Sequence, residues 1–295
     1  MTYFFKNNIY DEIRCDEIKE ENRKMRKEEW LIKIDEDNKR LYASRNTEHL
    51  SSYVMTIDDI DFEMAKGKDR KIIEIVGINQ ECLEYFVDKY GVEYEYIYFH
   101  MPKVQNFNSL VKLKNLQGVT IIGPTKAVSL WDMSKNKKLW YLHIVDSKSL
   151  IYNPTFLNSG IHLEEIIIAS SIWSNHAMKN LEWLNGLKKL KKLELWGIKL
   201  EEKNIDFLSY VPKIEEFNFD SYMFTTEQIA YICAKYPHIT GSALCAYNTC
   251  DAYSKDIRVC GYRKPELSLP KDQAKLDKYV KEFNELIELY KKEIH

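Results

Sequence analysis

Cysteine and histidine are the residues here whose chemistry would be most recognisable. Cys233, Cys245, Cys250 and Cys260 crowd the C-terminal part of the chain, with His238 close in sequence. Thiolate and imidazole could together hold zinc, but zinc sites are built on closely spaced pairs, C-x₂₋₄-C. Here only Cys245 and Cys250, with four residues between, reach the wide end of that spacing, and no second cysteine pair accompanies them. Cys233 also falls on an apolar helical stripe, where a free thiol behaves as a small hydrophobe. Reduced, buried thiols are therefore the expectation, with a disulfide cap or a structural metal as the alternatives, and no cofactor. A nucleophilic set could be assembled from His143, Asp146 and Ser147, but these are sequence neighbours and not a convergent constellation. Neither phosphate-loop nor dinucleotide glycine pattern occurs, and H-E-x-x-H, C-x-x-C and G-x-S-x-G are absent. A non-enzymatic protein is expected.

Composition narrows the partners. The chain has 295 residues, 30% charged and 45% hydrophobic, with a formal net charge of −2. The apolar fraction suits a folded protein, and the charge balance argues against a nucleic-acid binder, which carries a basic excess. No apolar run is long enough to span a membrane. The start, Met1 to Asn8, has no apolar stretch of signal-peptide type, so a cytoplasmic location is the expectation. Length alone would suggest about two domains.

Periodicity replaces that estimate. Leu139-Trp-Tyr-Leu-His-Ile has apolar residues at positions one, four and six. The spacing recurs in Tyr94-Glu-Tyr-Ile-Tyr-Phe, Leu116-Gln-Gly-Val-Thr-Ile, Leu163-Glu-Glu-Ile-Ile-Ile, Leu190-Lys-Lys-Leu-Glu-Leu and Ile214-Glu-Glu-Phe-Asn-Phe. First positions are 22, 23, 24, 27 and 24 residues apart. Two weaker units flank them, one ending at Ile73 and Ile75 and one opening at Ile239, which makes about eight. Each motif reads as a strand with one buried face, and a return of this length forces successive strands to be parallel. One unit cannot bury its apolar side alone, so the units must stack.

This pattern resembles the leucine-rich repeat, L-x-x-L-x-L-x-x-N/C-x-L, over roughly residues 70–247. The stretch Asp132 to Leu142 looks like the bacterial type. The resemblance implies an α/β solenoid with a parallel sheet on its concave face. The chain departs from the family at the ninth position, where Pro102, Pro124, Ser147, Ser171, Ile198 and Tyr222 replace asparagine. Without an asparagine ladder, irregular turns after the strands are expected.

Around the array, residues 1–68 read as an N-terminal cap. Asp11–Glu29 is a charged helix, and a hairpin follows over 30–34 and 39–43. The repeats occupy 69–250. Residues 251–295 form a C-terminal cap, with a strand near Arg258 and an amphipathic helix from Lys271 carrying Pro270 in its first turn. Helices are also expected over Asn79–Tyr90 and Thr225–Tyr236.

Alternation turns positions three, five and seven away from the core. The resulting columns present Tyr96, Tyr98, His100, Tyr141, His143 and Trp196, then Glu165, Glu194, Asn218, Glu216 and Asp220, with Lys192 among them. Exposed aromatics of this kind are typical of interface centres. The expected role is a non-catalytic protein-binding scaffold whose partner offers a hydrophobic anchor and a basic flank. An inhibitor or immunity-type protein masking another protein's active surface is a narrower form of it; a secreted or surface adhesin-like repeat protein is a different one. Cross-strand stacking for stability alone, or terminal regions folded over this face, would explain the same residues.

Overall fold

A row of parallel strands, one from each repeat, organises the molecule. The computed structural model describes residues 40–41, 55–65, 71–171, 174, 176–249 and 255–294. Strands β1 (Arg40–Leu41), β2 (Ile72–Val76), β3 (Tyr96–His100), β4 (Gly118–Ile122), β5 (Tyr141–Val145), β6 (Glu165–Ala169), β8 (Lys192–Trp196) and β10 (Glu216–Phe219) form one sheet in that order. Every pairing within it is parallel. Ala177–Met178 (β7) and Lys199–Leu200 (β9) pair separately on the return segments. The expected helix over residues 11–29 and most of the expected hairpin lie outside the described residues.

Register follows the repeat without a slip. Tyr96, Gly118, Tyr141, Glu165, Lys192 and Glu216 stand side by side, as do Tyr98, Thr120, His143, Ile167, Glu194 and Asn218. Positions one, four and six point into a continuous core: Leu116, Val119 and Ile121 are fully buried, like Leu163, Ile166 and Ile168. The weak first unit is a full strand, β2. The weak last unit is not. Only Thr240 bridges Glu216, because Ser242 and Gly241 supply nothing apolar to seat a further strand.

The turns after the strands correct the expectation of irregularity. A backbone ladder runs through position eight: Gly77 donates to the His100 carbonyl at 2.8 Å, Met101 to Ile122 at 2.7 Å, Gly123 to Val145 at 2.9 Å, Asp146 to Ala169 at 3.0 Å and Ser170 to Trp196 at 2.7 Å. Gly77, Met101, Gly123, Asp146 and Gly197 all take positive φ. That left-handed step points each N–H at the next repeat. Main chain therefore does what an asparagine row would do. One buried amide does appear on the far side of the array: Asn136 Nδ2 donates to the carbonyls of Leu110 (3.0 Å) and Leu113 (2.7 Å), and its Oδ1 accepts from Trp131 Nε1 (2.7 Å).

Helices occupy the ends. Helix α1 (Ile57–Ala65) packs on α2 (Gln80–Lys89), where Asp61 accepts from the hydroxyls of Tyr85 (2.8 Å) and Tyr90 (2.7 Å). Asn79 caps α2, and Leu83, Phe86 and Val87 are its buried stripe. The middle returns are short 3₁₀ turns and one short helix, α3 (Lys148–Ile151). Helix α4 (Thr226–Lys235) opens with the Thr225–Gln228 capping box. Beyond it, Tyr247–Thr249 (β11), Ile257–Val259 (β12) and Glu266–Leu267 (β13) form an antiparallel sheet. Helix α5 (Gln273–Ile294) buries Leu276 and Phe283 and meets α4 edge to face through Tyr231 and Tyr290. Pro270 lies in the turn before α5, not in its first turn, since Asp272 occupies the position that starts the helix.

Candidate functional site

The face of the sheet opposite the core carries the expected contact residues, with Asp220 just past the end of β10, but their environment differs from the one expected. Tyr96, Tyr98, Tyr141, Ile72 and Ile167 form a second apolar cluster, separate from the core, with Trp140 and Trp196 packed against it. Tyr98 is 8% exposed, Tyr141 3% and Thr120 0%. His143, Glu165, Lys192 and Glu194 are buried as well. The tyrosines are thus not displayed to solvent. Tyr96 on β3 and Tyr141 on β5 stand in one column with Gly118 of β4 between them, and both rings lean over that gap.

Ring geometry specifies the cluster. Trp140 meets Tyr96 edge to face at 6.5 Å between centroids and Tyr141 at 5.5 Å. Its Nε1 donates to the Tyr96 hydroxyl at 3.3 Å, and that hydroxyl donates to Gln117 Oε1 at 3.2 Å. Tyr141 and His143 meet edge to face at 6.4 Å. Trp140 and Gln117 were not expected here, because position two of a strand does not alternate onto this face. Each sits where the strand begins, at the level where its neighbour's carbonyl accepts from two successive N–H groups, and its side chain reaches back over the third column.

The acidic half is also altered. Lys192 Nζ lies 2.7 Å from Glu194 and 3.1 Å from Glu216, and Trp196 Nε1 donates to Glu194 at 2.8 Å. One lysine therefore answers two of the carboxylates. Asn218 Nδ2 donates to Glu216 at 2.5 Å and its Oδ1 accepts from the Ser242 N–H at 2.9 Å. Asp220 accepts from the Gly197 N–H at 2.6 Å and so continues the turn ladder past β10. Burial pushes its carboxyl above the usual range, partly offset by that N–H.

What stays half-exposed along the length of the face is the seventh-position row, together with Glu74, Glu216 and Asn218 near its two ends. Val76, His100, Val145, Ala169 and Trp196 lie in register and are half-exposed, with buried Ile122 between them. His100 Nδ1 lies 3.8 Å from Glu74.

The hydrolase-like trio does not converge. The Ser147 hydroxyl donates to the Gly123 carbonyl at 2.6 Å, and Asp146 accepts from the Ser171 N–H at 2.7 Å. Both are turn-forming groups. Among the described residues no set of three or more His, Cys, Asp and Glu side chains gathers to hold a metal ion, and no helix is long and apolar enough to cross a membrane.

No protein-family model matches the chain, and no curated protein matches it. Among solved structures the chain is similar to an internalin (inlF) from Listeria monocytogenes: 14% identity, TM-score 0.39, covering 54% of this chain and 44% of that one. It thus spans less than half of the internalin's length. It is also similar to the leucine-rich repeat domain of the type III effector XCV3220 (XopL), at 13% identity, 72% and 80% coverage and TM-score 0.36. A plant peptide hormone receptor, RGFR1, matches at 12% identity, 50% and 27% coverage and TM-score 0.27. Independently of those likenesses, a period of 22 to 27 residues, one parallel strand per repeat and buried first, fourth and sixth positions make the fold of this chain a leucine-rich-repeat solenoid.

Proposed function

We propose that this protein is a non-catalytic protein-binding scaffold that engages its partner along the seventh-position row of the sheet. The observation that carries this reading is the row itself. His100, Val145, Ala169 and Trp196 form a half-exposed, mainly apolar band, backed by rings already held in place. Contact surfaces that need no rearrangement bind at lower entropic cost. Towards β10 the row reaches Asp220, and Glu216 lies on the same face, so the fitting partner carries a hydrophobic anchor with a basic flank. A cytoplasmic site of action, and no nucleic-acid or membrane partner, belong to the same proposal.

The test is retention of a partner by immobilised full-length chain, comparing the parent with His100→Ala/Trp196→Ala and with Val128→Ala, an exposed position away from the sheet. Loss in the double variant alone, with an unchanged circular-dichroism spectrum, is the expected result. Equal retention by all three would remove the row from consideration.

A second reading is favoured by the burial of Tyr98, Thr120 and Tyr141: the ring cluster stabilises the sheet and makes no contact with a partner. On that reading Tyr98→Ala lowers the melting temperature and leaves retention unchanged.

A further inference from the structure

Two thiols meet at the C-terminal end of the array, just past β10. Cys245 Sγ and Cys260 Sγ are 3.8 Å apart. Cys260 is fully buried in the core just past β12, whereas Cys245 is half-exposed just before β11. The backbone holds them together: the Cys260 N–H donates to the Ala246 carbonyl at 2.9 Å, and Tyr247 stands opposite Val259. The two sulfurs are thus already neighbours, and a disulfide requires them to close from 3.8 Å to bonding distance. Asn248 points its amide at Cys260 Sγ (3.6 Å) and its Oδ1 at Cys245 Sγ (3.2 Å). Cys233 on α4 is held apart by its contact with the Leu244 carbonyl at 3.6 Å.

We propose that Cys245 and Cys260 are an oxidation site, a dithiol that peroxide converts to a disulfide locking the C-terminal cap onto the last repeat. Cys245 is the partner that reacts first. It is the more accessible of the two, and its hydrogen bond with Cys260 holds its thiol below the usual range. The same bond, together with burial, pushes Cys260 up, and burial pushes Cys233 up to about 11. The Cys245 thiolate attacks one peroxide oxygen, the O–O bond breaks, and hydroxide leaves and takes up a proton as water. The Cys260 sulfur then attacks the resulting sulfenic sulfur, the S–O bond breaks, and a second water departs with the Cys260 proton. Two thiols are oxidised and one hydrogen peroxide is reduced to two waters. The new bond closes the loop through residues 246–259 and reduces the freedom of the unfolded chain.

The experiment treats reduced full-length protein with stoichiometric hydrogen peroxide, then maps peptides under non-reducing conditions. A Cys245–Cys260 linked pair, lighter by two hydrogens, is expected. So is a rise of several degrees in melting temperature that dithiothreitol reverses. Cys233→Ser and Cys250→Ser should keep both effects, and Cys260→Ser should lose both while leaving Cys245 as its sulfenic acid. Linkage of Cys245 to Cys233 or Cys250, an intermolecular dimer, or over-oxidation of Cys245 without linkage would overturn the proposal. The peptide map of the parent decides this even if a serine variant fails to fold.

Discussion

The ring of Tyr96 lies over Gly118 on the adjacent strand, so closely that a Cβ at position 118 would sit 2.6 Å from Tyr96 Cδ1 and 3.3 Å from Tyr141 Cδ1. Gly118 is the one residue without a side chain in a column that otherwise reads Ile72, Tyr96, Tyr141, Glu165, Lys192 and Glu216. Its missing side chain is the space into which the two tyrosines lean. A glycine inside a strand often marks such an approach.

Gly118→Ala should therefore destabilise the protein despite alanine's better backbone entropy. Overpacking of this kind costs about 1–3 kcal/mol. Chemical denaturation would measure it, and near-ultraviolet circular dichroism should change as the Tyr96–Trp140 contact opens. An unchanged midpoint with an unchanged aromatic spectrum would show that the rings are loosely held.

Asn136 is a second place where a small change should have a large effect. Asn136→Ala removes a donor from two buried carbonyls and the acceptor from Trp131 Nε1. Only Trp131 Nε1 is left unpaired, because the Leu110 and Leu113 carbonyls still accept from the N–H groups of Leu113 and Leu116; a buried group without its partner costs about 1–3 kcal/mol. A loss of about 1–3 kcal/mol is expected by urea titration, larger than the loss for any single exposed asparagine.

Asp220 gives a pH signature. Its carboxyl titrates higher in the folded state than in the unfolded chain, because burial outweighs the Gly197 N–H. The folded state then binds the proton more tightly, so this group's stabilisation is present below the unfolded value near 3.8 and is lost as pH rises through the folded value. Asp220→Asn keeps an acceptor for Gly197 and removes the titration. The variant should gain stability relative to the parent as pH rises from about 3.8 into the window just above it. A constant difference across that range would contradict the assignment.

The solenoid was legible because its evidence is redundant: six motifs with the same apolar spacing cannot be placed in a sheet in any other register. The turns were not, because side-chain identity at the ninth position says nothing about a ladder made by main chain at the eighth. Met101 and Asp146 take φ of 50° and 55° there, and neither residue type announces it. The sheet face was half legible. Alternation placed Tyr96, Tyr98, Tyr141 and His143 on the correct side, but composition could not show that Trp140 and Gln117 reach over from position two, or that Lys192 would sit between Glu194 and Glu216. Burial on an open face depends on neighbours far apart in the chain, and single motifs do not carry it.

Site-specific photo-crosslinking tests the binding face most directly. A benzophenone side chain placed at Ala169, in the middle of the half-exposed row, is compared with one at Val128, away from the sheet. A discrete cross-linked protein partner is expected from Ala169 and none from Val128. A partner captured equally from both positions, or only from Val128, would contradict it.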